Sequence, residues 1–161
     1  MKARRTGSLV IVMLAGYALW LSLEGRSDAK QDQAIRTVAI SEICARIEAG
    51  RPPTFVDVRE PEEFVEEHLP GAIHMPVREM NERARAELRA GELVVPYCLK
   101  DFRGFEGARR LSELGFEDVR VMQKVGINGW KAAGLPTAGA IPGRSDADVH
   151  AALLEHCQRQ P

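Results

Sequence analysis

The sequence lacks a dominant charge, a metal-binding cysteine pattern and a paired set of cysteines. Its 22 basic and 23 acidic side chains leave a formal net charge of −1, which argues against a nucleic-acid binder that relies on a basic surface. No Cys-x-x-Cys pair and no His/Cys cluster with zinc spacing occurs, and His156-Cys157 is a bare dipeptide in a tail, so no metal site is expected. The three cysteines, Cys44, Cys98 and Cys157, are an odd number, so at least one thiol stays free. Cys44 falls on the Ile43/Ile47 side of a helical pattern and reads as core, and the sequence leaves a Cys44–Cys157 bridge open.

With 161 residues, 45% of them hydrophobic, the chain is long enough for one domain with a real core. The net charge is uneven, +3 over residues 1–30 and −4 over the rest, and at the start Lys2, Arg4 and Arg5 precede the apolar run Leu9–Leu23. With Ser8 and Gly25 this run reaches about 18 residues, near the minimum for a spanning helix. The expected organisation is a basic flank at 1–7, a transmembrane anchor or signal peptide at 8–25, a linker at 26–36, a domain at 37–137, and a hinge with a helical tail at 138–161. The best cleavage candidate, Ser27-Asp28-Ala29, lies several residues past the apolar run, which favours an uncleaved anchor. The positive-inside bias then places the domain outside the cytoplasm, on the periplasmic side in a Gram-negative cell. Cleavage would instead release it as a secreted or periplasmic protein.

From residue 38 onward short apolar strands alternate with helices. Val38 to Ile40 reads as a strand, and Ser41 as the cap of a helix that Gly50 stops. Thr54 to Val58 is a β-branched strand ending beside an acid, and Pro61 opens the next helix. Ala72 to Met75 is a brief strand, and Arg78 to Ala90 a charged helix with Met80, Ala84 and Leu88 inward. Leu93 to Tyr97 is a strand in which Pro96, lacking an N–H, belongs where pairing ends. It delivers Cys98 to the loop Leu99-Lys100-Asp101-Phe102, closed by Arg103 and Gly104. A helix to Leu114 follows, with Phe105, Ala108, Leu111 and Leu114 on one stripe. Asp118 to Met122 is a strand, and Ile127 to Ala133 a helix anchored by Trp130. This alternation predicts an α/β fold with a mostly parallel central sheet of about five strands, flanked by helices on both faces. Ser145 and Asp148 form a capping-box pattern ahead of a tail helix. A thiol at the C-terminal end of a buried strand, facing the first turn of a helix, sits where such sheets bind ligands and where anionic sulfur is favoured.

Three ordered pieces carry a family resemblance over roughly residues 37–137. They are Phe55-Val56-Asp57-Val58-Arg59-Glu60-Pro61-Glu62-Glu63-Phe64 with His68-Leu69-Pro70-Gly71-Ala72-Ile73, then Tyr97-Cys98 followed by Arg103, then Gly126-Ile127-Asn128-Gly129-Trp130 with Gly134-Leu135-Pro136. Together they resemble a single-domain rhodanese. The resemblance implies a Cys98 persulfide as intermediate, thiosulfate or a persulfide as small donor, and a thiol, cyanide or partner-protein cysteine as acceptor. It implies no cofactor. It also implies that Leu99, Lys100, Asp101, Phe102, Arg103 and Gly104 form the active-site and substrate-binding loop, with Asp57 and Arg59 supporting it. Related phosphatase and arsenate-reductase loops are one residue longer, making room for a tetrahedral oxyanion, so the loop here suits a single sulfur atom.

The loop departs from the family pattern at Asp101, Phe102 and Gly104. Asp101 brings a carboxylate that opposes a thiolate and an anionic donor. Phe102 is bulky enough to restrict which donor enters, and Gly104 lacks a hydroxyl. Two functions follow: a sulfurtransferase, or a rhodanese-like binding or redox-sensing module that takes up sulfur without turnover.

Overall fold

The computed structural model describes residues 35–159 except 101, 124, 125 and 141–144, and of residue 146 only the backbone. The expected anchor or signal at 8–25 lies outside the described residues. Among those described, no helix is long and apolar enough to cross a membrane. The elements run β1 (Arg36–Val38), α1 (Ile40–Glu48), β2 (Thr54–Asp57), α2 (Pro61–Glu66), β3 (Ile73–His74), a 3-10 turn (Val77–Glu79), α3 (Met80–Glu87), β4 (Val94–Tyr97), α4 (Phe102–Glu113), β5 (Arg120–Met122), α5 (Gly126–Ala132) and α6 (Asp146–Gln158).

The named strands pair in parallel, β3–β2–β4 in one ladder and β1–β5 in the other. The ladders join where the Val94 N–H donates to the Asp118 carbonyl at 2.9 Å. Backbone groups alternate sides along a strand. Pro96, two residues on, therefore turns its donor-less nitrogen toward β5, while β4 stays paired with β2 as far as Tyr97. The proline stands where the β4–β5 pairing has ended.

The same alternation builds a core on each face. Val38, Phe55, Val95, Tyr97 and Met122 pack with Ile43 and Ile47 of α1 and with Trp130 of α5. Val56, Val94 and Val121 pack on the other side with Met80 and Ala84 of α3 and with Ala108 and Leu111 of α4. Leu153 and Cys157 of α6 lie in the first of these cores, so the tail helix is part of the domain's interior. A Cys44–Cys157 disulfide ties α6 to α1. The Ser145 Oγ accepts from the Asp148 N–H at 3.2 Å, so the expected capping box starts α6.

Several local expectations shift. Helix α1 starts at Ile40 behind Ala39, so Ser41 is not its cap. Helix α3 ends at Glu87, and Leu88, in extended backbone, still buries its side chain. Phe105 does not join the buried stripe of α4, which is Gly104, Gly107, Ala108 and Leu111. The reason is steric. A Cβ at residue 104 would lie 3.3 Å from Tyr97 Cα, and one at residue 107 would lie 3.1 Å from a Val58 methyl. The two glycines let α4 lie directly against β4, and this turns Phe105 outward, 44% exposed.

Candidate active site

The site is built where β4 ends. Cys98 directly follows that strand, is 3% exposed and carries a free thiol. Its carbonyl accepts the Ile127 N–H from the first turn of α5 at 3.0 Å, so the third sequence piece holds the backbone of the second. Leu99 and Lys100 are exposed, and α4 begins at Phe102. Asp101 lies outside the described residues.

Arg103, in the first turn of α4, reaches two ways. Its Nη1 and Nη2 donate to Glu63 Oε2 and Oε1 at 2.8 and 2.9 Å. Its affinity for its proton is raised, chiefly by that bond to Glu63, and further by the charge of the Cys98 sulfur and a hydrogen bond to it. The guanidinium is thus held beside the sulfur by a carboxylate from α2. Glu63 Oε2 also accepts the Glu60 N–H at 3.1 Å, which caps α2. The Arg103 bond is the main reason the Glu63 carboxyl is held below the ordinary carboxylate value.

Asp57 and Arg59 pair at the end of β2, both essentially buried, with Arg59 Nη2 to Asp57 Oδ2 at 2.6 Å. The Arg59 guanidinium also donates to the Glu67 carbonyl and lies 6.0 Å from the centre of the Tyr97 ring. The Tyr97 hydroxyl accepts the Leu69 N–H at 3.0 Å. Burial, with the Asp57 charge added, pushes its phenol well above the ordinary value, so it stays a neutral donor toward Asp57. Phe64 stacks between His68 and His74, at 4.0 and 4.8 Å between ring centres. The long first motif is therefore a brace that fixes α2 and the turn after it against β4.

Of the residues expected at the site, Cys98, Arg103 and Gly104 come together, and Asp57 and Arg59 sit one strand away. Phe102 points out of the fold. Its ring is 88% exposed, because the inward face of α4 is taken up by Gly104 and Gly107. Gly104 allows the close approach of helix and strand, and any side chain there would press on the β4 backbone. Sequence reasoning missed Glu63 and Ile127. Glu63 stood in the first motif with no role given to it, and nothing local linked it to Arg103, 40 residues away.

A free thiol at the end of a parallel strand, followed by an arginine on the next helix, marks the candidate site of this α/β domain. The sequence profile of the Rhodanese-like domain matches residues 40–133, and the chain belongs to that family. It is 37% identical over 82 residues to an uncharacterized protein of Synechocystis, covering 51% of this chain and 45% of that one. It is 36% identical over 66 residues to the thiosulfate sulfurtransferase PspE of Escherichia coli, covering 40% of this chain and 64% of the relative. The chain thus spans less than two thirds of the length of either curated relative. The solution structure of the rhodanese-like domain of an Anabaena protein superposes with a TM-score of 0.59 at 29% identity, covering 70% of this chain and 85% of that one.

Proposed function

We propose that this chain is a sulfurtransferase in which Cys98 carries sulfane sulfur from a small donor, thiosulfate or a persulfide, to a thiol, cyanide or a partner-protein cysteine. The observation that carries this reading is the free Cys98 thiol with the Arg103 guanidinium held against it by Glu63. In the first half-reaction the Cys98 thiolate attacks the outer sulfur of thiosulfate, and sulfite leaves with the electron pair of the broken S–S bond. Arg103, the loop N–H groups from Leu99 to Gly104 and the Lys100 side chain favour the anionic persulfide. Asp57 and Arg59 act through the packing of β2 against the loop. In the second half-reaction the acceptor takes the outer sulfur and regenerates the thiolate.

The Cys44–Cys157 disulfide suits an oxidising compartment, which supports a domain outside the cytoplasm, tethered through residues 8–25 or released from them. No nucleic acid enters this reading.

The test is intact-mass spectrometry of the protein after incubation with thiosulfate and, separately, glutathione persulfide. The expected result is a gain of one sulfur atom that added thiol removes and that Cys98→Ser abolishes. Failure of both donors would refute the reading. The near-complete burial of Cys98, 3% exposed, favours a second reading, a module that takes up sulfur or is oxidised without turnover. Multiple turnovers with thiol acceptor distinguish the enzyme from that module, which stalls after one equivalent.

A further inference from the structure

Among the described residues the large hydrophobic side chains left exposed are Val65, Leu99, Phe102 and Phe105, and three of these four follow Cys98 within seven positions, on its loop and on the first turn of α4. Leu99 follows the cysteine directly. Phe102 and Phe105 are one helical turn apart on the outer face of α4, 88% and 44% exposed. None of them serves the fold, since the inward face of α4 is closed by Gly104, Gly107, Ala108 and Leu111. Nor do they serve a small anion such as thiosulfate or cyanide, which gains nothing from a phenyl ring.

The surroundings carry negative charge. The Glu63–Arg103 pair holds the first turn of α2 against the first turn of α4. On α2, Glu62 and Glu66 are exposed, and neither makes an ion pair among the described residues. Lys100 is followed in the sequence by Asp101, so this pair of residues adds no formal net charge. Covered aromatic rings bury about 150–250 Å² each, so this collar offers on the order of 300 Å². A stable dimer needs about 800 Å² from each partner, so the size fits a transient visitor and not a permanent second copy.

We propose that Leu99, Phe102 and Phe105 form a docking collar for an acceptor protein that presents its reactive cysteine on an apolar segment bearing basic residues. The inference rests on the sulfurtransferase reading and names the acceptor for it. The acceptor thiolate attacks the outer sulfur of the Cys98 persulfide. The S–S bond to Cys98 breaks, its electron pair returns to the Cys98 sulfur as thiolate, and the acceptor leaves as a persulfide. No outside oxidant or reductant is consumed.

The experiment loads the full chain with glutathione persulfide and confirms sulfur on Cys98 by mass. A failure here refutes the sulfurtransferase reading before any acceptor is added. Loaded protein is then mixed with short peptides in which cysteine lies between leucines and lysines, between serines and lysines, or between leucines and glutamates. Single-turnover transfer to the leucine–lysine peptide is expected to exceed either other by about tenfold, the effect of one aromatic anchor. In Phe102→Ser and Phe105→Ser the leucine-to-serine rate ratio, taken within each protein, is expected to fall toward one. Equal rates for all peptides in the unaltered protein would overturn the proposal, as would a ratio unchanged in both variants. A dimer that Phe102→Ser converts to monomer in sedimentation, with peptide rates equal, would make the collar a self-association face and equally overturn it.

Discussion

Glu63 and Arg103 form a two-pronged ion pair that joins the helix after β2 to the helix after Cys98, with both contacts below 3 Å, at 2.8 and 2.9 Å. Because the Cys98 sulfur is also among the groups that raise the Arg103 proton affinity, Glu63 fixes the position of the positive charge that faces this thiol. Glu63→Gln is expected to lower the rate of Cys98 persulfide formation from thiosulfate by roughly 10- to 100-fold, the scale of a misplaced catalytic group. Single-turnover mass spectrometry measures it. The same pair carries a pH signature. The Glu63 carboxyl is held below its ordinary value of 4.5, so its contribution to stability is complete above that pH and is lost as pH falls through the lower folded value. Between pH 6 and pH 3, Glu63→Gln is therefore expected to lose less urea stability than the unaltered protein; these two pH values are set about 1.5 units either side of the ordinary carboxylate range.

Asp57→Ala leaves the Arg59 guanidinium buried beside an empty site. The pair has side-chain exposures of 5% and 0%, so the variant is expected to cost about 3–5 kcal/mol of unfolding free energy. Pairing it with Arg59→Leu removes the stranded charge and should restore part of the loss. Urea denaturation of the two variants checks both, and a double variant no better than the single would place the cost elsewhere.

The parts of this domain written in local pattern could be read from the sequence. Phe55 and Val56 point to opposite cores as strand alternation requires, and Pro96 marks the end of the β4–β5 pairing. Cys98, Arg103 and their loop were found because thiol and arginine flank a strand–helix junction. What escaped depended on contacts across the chain. The stripe expected on α4 contained Phe105 and neither Gly104 nor Gly107, whereas the nearness of Tyr97 and Val58 makes the two glycines part of the inward face and sends Phe102 and Phe105 outward. Glu63 and Ile127 act at Cys98 through a side-chain pair and a backbone bond whose partners lie 40 and 29 positions away. No local periodicity encodes either one.

Asp101→Gly tests the electrostatics of the loop. Removing the carboxylate is expected to raise the rate of attack on thiosulfate by roughly threefold to tenfold, the range for one nearby like charge at a protein surface. Cyanide-coupled turnover measures it, and an unchanged or lower rate would rule out like-charge repulsion as the brake.

Cys44→Ser is expected to lower stability by about 2–5 kcal/mol, because the disulfide closes a long loop in the unfolded chain. The urea midpoint of the unaltered protein under strong reductant should approach that of the variant. A reductant-insensitive midpoint would show that α6 is held by packing alone.

The same bond changes what a cut in the backbone can do. Cys44 and Cys157 are 113 positions apart, and β2 through α5, with Cys98 and every residue that braces it, lie between them. The region around Cys98 is thus a closed covalent circle. One cleavage inside it opens the circle but frees no fragment, and the two new ends stay tethered for re-closure around the thiol. Only reduction of the bond, or a second cut, turns a nicked protein into separable pieces. A protease that clips once and a reductant that opens the circle therefore act together on this protein, and each alone leaves a single molecule.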